Sequence, residues 1–134
     1  MADLTSITAV RPTSNTTYTR VQYGATISAG QPIVKSGTTY VLADANASSA
    51  LAAAEGIAIT PGLSGGYGLM ATGGAIILVG TTMVVGTSYL VSPTAGRIMP
   101  DADRSTGDYV TRLGTASATT QLDLAIVATA VVVP

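Results

Sequence analysis

The acidic run Asp101–Asp108 has the spacing in this sequence that comes closest to a metal-binding loop. Its aspartates stand at positions 101, 103 and 108, and alternating carboxylates are how a calcium loop supplies oxygen ligands. Here Gly107 falls one position late for such a loop, and Arg112 stands where a bidentate glutamate is needed. The sequence therefore favours a solvated turn whose aspartates accept hydrogen bonds from nearby amides, with a bound ion as the alternative.

The residues needed for catalysis are scarce. The chain has no histidine and no cysteine, which removes the commonest general base and the thiolate nucleophile. A serine or threonine would have to be activated by Lys35, Glu55 or an aspartate, and no Gly-x-Ser-x-Gly elbow is present. The glycine-rich stretches 62–66 and 73–74 lack the Lys-Ser/Thr of a phosphate loop, so we predict turns there. We expect no enzymatic activity and no cofactor.

Composition indicates one strand-rich domain. The 134 residues are 47% apolar, yet they include no Phe or Trp, so the core must be built from Val, Ile, Leu and Ala. Fifteen glycines and six prolines imply many turns. Only 10% of the residues are charged, and six cations cannot form the basic patch that a nucleic-acid partner requires. So lightly charged an exterior is better explained if partner chains cover much of it.

The segment Leu69–Val91 is uncharged and long enough to pass as a membrane helix. Glycines at 73, 74, 80 and 86 divide it into strand-sized pieces, so we predict buried strands and no membrane partner. The first residues, Met1–Ser6, do not have the pattern of a secretory signal.

Strands are predicted along most of the chain. Thr17–Tyr23 alternates in polarity, Ser36-Gly37 is placed to turn a tight hairpin, and Ala75–Val79 is a continuous apolar strand. The final segment, Leu122–Val133, is nearly all apolar and is predicted to be a central strand, with Pro134 preventing edge pairing.

One segment, 44–56, has the composition of a helix. Asp44 or Asn46 can cap its start, alanines fill it, and Gly56 suits its end, so we predict two to three turns.

An internal repeat organises the domain. The series that begins at Gly30, passes Asp44 and ends at Gly56 resembles a later series from Gly86 through Asp101 to Gly114. The corresponding spacings differ by one residue. We infer two similar strand-hairpin halves closing one small barrel, with chance similarity among Thr/Ala/Gly-rich segments as the alternative.

Residues 1–16 are polar and precede the predicted barrel domain, residues 17–134. Leu4, Ile7 and Val10 recur at intervals of three. One interpretation is a frayed terminus, and the other is an extended arm that orders against a partner through these three residues.

The second half of the sequence resembles small bacteriophage capsid cement, or head decoration, proteins. The resemblance extends over about residues 25–126 and is sharpest after Gly86, in five short motifs: Gly86-Thr-Ser-Tyr89-Leu-Val-Ser92, Ala95-Gly-Arg-Ile98, Gly107-Asp-Tyr-Val110, Leu113-Gly-Thr-Ala116 and Leu122-Asp-Leu124.

Taken with the predicted elements above, this resemblance indicates an all-β domain with minor α content, a small β-barrel or β-tulip-like domain with one short Ala-rich helix and an extended N-terminal arm. It implies a homotrimer on the outer surface of the virion capsid, made in the host cytoplasm and bound to the major capsid protein. Leu4, Ile7 and Val10 would then form the capsid-binding arm, which adds a strand to the shell protein. Deleting residues 2–16 is expected to leave a folded protein without capsid affinity.

Two other functions remain open. A trimeric head-fibre or tail-fibre module shares Thr/Ala/Gly-rich strands, although no long repeat array or coiled-coil stalk is visible. A small glycan-binding β-barrel would use an exposed aromatic ring, and Tyr67 beside Gly65-Gly66 is its best candidate contact.

Overall fold

The computed structural model describes residues 3–4 and 7–134 and has the expected all-β class. Strands make up 50% of the chain and helical turns 5%, and one antiparallel sheet curls into a half-barrel. The strands are β1 (Ala9–Pro12), β2 (Thr17–Gln22), β3 (Pro32–Ser36), β4 (Thr39–Leu42), β5 (Gly56–Ala58), β6 (Tyr67–Val79), β7 (Ser88–Val91), β8 (Ile98–Pro100), β9 (Tyr109–Ala116) and β10 (Gln121–Val132). The helical elements are α1 (Ser49–Ala52) and a 3-10 turn, Asp101–Asp103.

Strand β6 belongs to both halves of the molecule. The sequence predicted a turn at Gly73-Gly74 between two strands, but these glycines lie inside one continuous strand. Before them β6 pairs with β2 and β5, and after them it pairs with β1 and β10. Gly74 has a φ of 76°, and a Cβ there would collide with the backbone of Asn15, so the change of partners requires glycine.

The first half has the strand order β4-β3-β5-β6-β2. Its two outer strands, β4 and β2, approach each other at their ends. Tyr23 and Tyr40 form an isolated parallel bridge there, and the Gly24 N–H donates to the Tyr40 carbonyl at 2.8 Å. The side chains enclosed by this curl form a small core: Val21, Tyr23, Ile27, Ile33, Ala58 and Met70. The curl thus gives the first half a core of its own.

The second half has the strand order β8-β7-β9-β10-β6-β1. The N-terminal residues connect its two edges: the Leu4 N–H donates to the Ile98 carbonyl, and the Thr8 N–H donates to the Val79 carbonyl, both at 2.8 Å. The larger core cluster lies mainly beneath this half and includes Ile76, Leu78, Leu113 and Leu122, each 0% exposed. The N-terminal segment therefore closes the second half, as the Tyr23–Tyr40 bridge closes the first.

The two halves repeat one pairing scheme, which confirms the predicted strand-hairpin repeat. In the first half β3 pairs with β4 and with β5, placing Ile33 opposite Gly56. In the second half β7 pairs with β8 and with β9, placing Tyr89 opposite Gly114. Both copies begin at a glycine with positive φ, at positions 30 and 86.

The predicted helix is shorter than expected. Only Ser49–Ala52 is helical, its N-terminus is capped by the Ser48 hydroxyl, and Gly56 begins strand β5. The residues before the helix make non-helical hydrogen bonds: the Ala45 N–H donates to the Ser92 carbonyl, and the Asp44 carboxylate accepts from the Asn46 N–H. One turn of alanine-rich chain cannot compete with these contacts, because starting a helix is costly.

The prediction of a central C-terminal strand is correct only at its start. Residues 121–124 of β10 lie between β6 and β9. Beyond Leu124, β6 has diverged into the first half, and β10 continues against β9 alone. The rest of β10 is therefore an edge strand.

Candidate functional surfaces

The acidic loop is built as a turn. The Asp101 carboxylate accepts a 3.2 Å hydrogen bond from Arg104 Nη1, and Asp108, 4% exposed, accepts from the Ser105 N–H at 3.0 Å. Over residues 3–4 and 7–134, no group of three or more Asp, Glu, His or Cys side chains is arranged to hold a metal ion. Asp108 accepts from a nearby backbone amide as predicted, but it is buried, so the turn is not solvated at this end.

The glycine-rich stretch 62–66 is a turn that leads into β6. The Gly66 N–H donates to the Leu63 carbonyl at 2.8 Å, and Gly65 has a φ of 87°. This stretch precedes a strand, so it lacks the helix N-terminus that a phosphate loop requires.

The aromatic ring proposed for a glycan site is partly occupied. Tyr67 is 57% exposed, and the guanidinium carbon of Arg20 lies 4.5 Å from its ring centroid. A sugar stacking on that face would have to displace the cation. Tyr23 offers no alternative, since its ring is fully buried and its hydroxyl donates to the Thr60 carbonyl at 2.6 Å.

A shallow cavity of about 180 Å³ lies beside the N-terminal segment. It is smaller than the roughly 300–1,000 Å³ typical of small-molecule sites. The residues lining it are Leu4, Ile7, Ser28, Ala29, Gly30, Gln31, Gly96 and Arg97.

The three predicted arm residues lie against the chain's own core. Val10 is 7% exposed within β1, and Leu4 and Ile7 are half-buried against the same cluster. The Asp3 carboxylate also accepts hydrogen bonds from the buried Ser92 hydroxyl at 3.0 and 3.1 Å. The described N-terminal residues are thus docked on the body, and the capsid-binding role of Leu4, Ile7 and Val10 stays a prediction.

The outer part of β10 is the largest feature that sequence reasoning missed. In the segment Ala125–Val132, which we call the β10 edge, Val127, Val131 and Val132 are 53%, 59% and 42% exposed. No residue from Leu124 to Pro134 carries a side-chain charge. A continuous apolar run has the same pattern whether it is buried or exposed, so the absence of charge is the one signal that could have indicated this surface.

Comparison with known proteins does not assign the chain to a family. No protein-family model matches it, and no curated protein matches it. Over the described ranges, the chain contains no helix long and apolar enough to cross a membrane.

Proposed function

We propose that the chain is a bacteriophage capsid decoration, or cement, protein that binds the outer surface of the mature head and stabilises contacts between major capsid protein subunits. The proposal begins from the sequence resemblance. The observation that carries it in the structure is the exposed, uncharged β10 edge on a protein with very little charge elsewhere.

Large hydrophobic side chains exposed at the surface favour a binding role. The large hydrophobic residues at the surface include Leu63 at 72% and Val84 at 67% exposure, in addition to the valines of the β10 edge. Isolated exposed hydrophobics are ordinary, but three valines on one uncharged segment of a strand are typical of a surface that another protein covers.

The architecture suits a protein whose role is mechanical. The Tyr23–Tyr40 bridge joins the outer strands of the first half, and N-terminal residues hydrogen-bond to β8 and β6 in the second half, so much of the sheet is held in place. A stiff body loses little conformational entropy when it binds, which favours association through modest contacts. A trimer placed repeatedly over the shell would add avidity to each weak contact.

The docked N-terminus changes how an arm would reach the shell. Strand β1 pairs with β6 on one side, and its side chain at Val10 is committed to the core. An added strand from the capsid protein would therefore meet the other edge of β1. Leu4, Ile7 and Val10 would act by holding that edge in place.

Co-sedimentation tests the proposal. Purified protein is mixed with expanded heads that lack it and, as control, with unexpanded procapsids of the same phage. We expect saturable binding to expanded heads alone, which would place the protein on the outer surface of the virion. Absence of binding to both particles would refute the proposal.

A further inference from the structure

We infer that the outer edge of β2, residues 17–20, binds together with Tyr67 an extended acidic segment of the major capsid protein. We call residues 17–20 and 67 the β2 patch. The inference rests on the proposed function, and it adds the chemistry of the segment bound and the residue that recognises it.

The backbone of the β2 patch is available for pairing. Strand β2 pairs with β6 on one edge, and in the described ranges no strand pairs along its other edge. The bridge between Tyr23 and Tyr40 lies beyond the end of β2. Residues 17–20 are all exposed, and the register of β2 with β6 is unbroken from Tyr18 to Gln22. A regular edge strand with unpaired amides and carbonyls is a template for another extended segment.

The side chains of the β2 patch are two tyrosines and an arginine. Tyr18 and Arg20 alternate onto one face of β2, and Tyr67 of β6 lies beside them, with its ring centroid 4.5 Å from the guanidinium carbon. Tyr18 and Tyr67 are 55% and 57% exposed. Tyrosine and arginine are the residue types enriched at the centres of protein interfaces. A guanidinium beside a ring keeps N–H donors that fit a carboxylate.

Charge selects an acidic occupant for this surface. All three charged residues between positions 4 and 43 are positive, and strand β6 has no charged residue. Strands β1 and β2 follow one another along one edge of β6, opposite the edge that pairs with β5 and β10. Arg11 of β1 is exposed further along this edge. A segment carrying carboxylates therefore meets complementary charge here, whereas a basic segment would be repelled.

A second copy of the chain does not supply such a segment. The other strands with an unpaired side, β4, β8 and the β10 edge, carry no carboxylate. Asp101 and Asp103 lie in a 3-10 turn, and Asp123 lies in β10 between β6 and β9. Pairing of β2 with its own copy would bring two Arg20 side chains close together on one short sheet, which is unfavourable.

Binding of variants to expanded heads tests the inference. R20E should weaken binding about tenfold or more, because it replaces an attraction to a carboxylate by a repulsion. K35E is the matched control: Lys35 is also an exposed cation on a strand, and it faces Tyr40 of β4 in the register of β3. K35E should bind like the wild type. Added salt should weaken the wild type more than R20Q, because salt screens charge pairs.

Hydrogen exchange of the wild type supplies a measurement that needs no variant to fold. Amides of residues 17–20 should become more protected when the protein is bound to expanded heads. Those of the hairpin turn around Gly37 should not change. The comparison therefore separates protection at the β2 patch from a general slowing of exchange on the particle.

The outcomes separate the inference from the proposed function. If the wild type binds expanded heads but R20E binds equally well, K35E loses as much as R20E, or residues 17–20 gain no protection, the inference is overturned and the decoration proposal stands. A wild type that binds neither heads nor procapsids refutes both. Binding of soluble polygalacturonate through Arg20, with head binding unchanged in R20E, would overturn the inference and assign the β2 patch to an acidic glycan.

Discussion

The substitution Gly114→Ala is expected to destabilise the fold strongly, because Gly114 has no room for a side chain. A Cβ at this position would overlap the Asp123 carbonyl oxygen and lie 2.9 Å from the Asp123 carbonyl carbon and 3.0 Å from Leu124 Cα. All three are backbone atoms of β10, held in register against β9, so no change of rotamer relieves the contact. We expect a cost of about 3 kcal/mol, the upper end of the range for overpacking.

Gly56 provides a parallel test, since it occupies the same place in the first half. A Cβ there would overlap the Ala71 carbonyl oxygen and approach the Met70 sulfur at 2.8 Å. The methionine side chain can move aside, but the Ala71 carbonyl oxygen is a backbone atom and cannot, so Gly56→Ala should cost nearly as much, about 2–3 kcal/mol.

Gly73→Ala is the matched control. Its Cβ would lie 3.9 Å from Thr17 Cβ, an ordinary contact, and Gly73 lacks positive φ. We expect a change within about 0.5 kcal/mol. Urea unfolding followed by circular dichroism measures all three variants. A Gly114→Ala protein within about 0.5 kcal/mol of wild type, or a Gly73→Ala protein as unstable as Gly114→Ala, would refute the reasoning.

Two further predictions concern the N-terminus and the buried tyrosine. Val10→Ala removes two buried methyl groups and should cost about 1–2 kcal/mol by urea unfolding, whereas an N-terminus that contributes nothing to the fold would give no change. Burial raises the pKa of Tyr23 above 10.0, so the unfolded chain releases this proton first and stability is lost as the pH rises through and beyond about 10. Tyr23→Phe should cost about 1–2 kcal/mol at neutral pH and lose less stability than wild type between about pH 9 and pH 11, and equal alkaline losses would contradict this.

The docked N-terminus also changes the expected effect of deleting residues 2–16. That deletion removes β1 and the Val10 side chain and uncovers one edge of β6. We therefore expect a less stable protein, so loss of capsid binding in this variant would not isolate the role of the arm.

Sequence reasoning was most successful where turn chemistry and repetition agree. Gly37, with a φ of 65°, turns the hairpin between β3 and β4 as predicted, and the repeat correctly places Gly56 and Gly114 in equivalent strands. At these positions the backbone has a positive φ or lies too close to a neighbouring strand for a Cβ. Only glycine fits, so its place in the sequence predicts the structure.

The failures arose where local preference and tertiary context compete. The alanines near residue 50 favour a helix. The Ala45 N–H instead donates to the Ser92 carbonyl, and the Asp44 N–H donates to the Leu51 carbonyl, so the helix is limited to one turn. The pattern predicted strands on either side of a turn at Gly73-Gly74 and a central C-terminal strand. It could not reveal that β6 runs through both halves and so leaves the outer part of β10 without a second partner. The β10 edge follows from topology, and topology is set by long-range pairing.

Heat resistance of the heads tests the central claim most directly. Expanded heads lacking the protein are titrated with it, and the temperature at which the shells rupture is recorded at each ratio. We expect the rupture temperature to rise and then level off at a fixed number of copies per capsid subunit. Saturable binding with no change in rupture temperature would contradict a stabilising role.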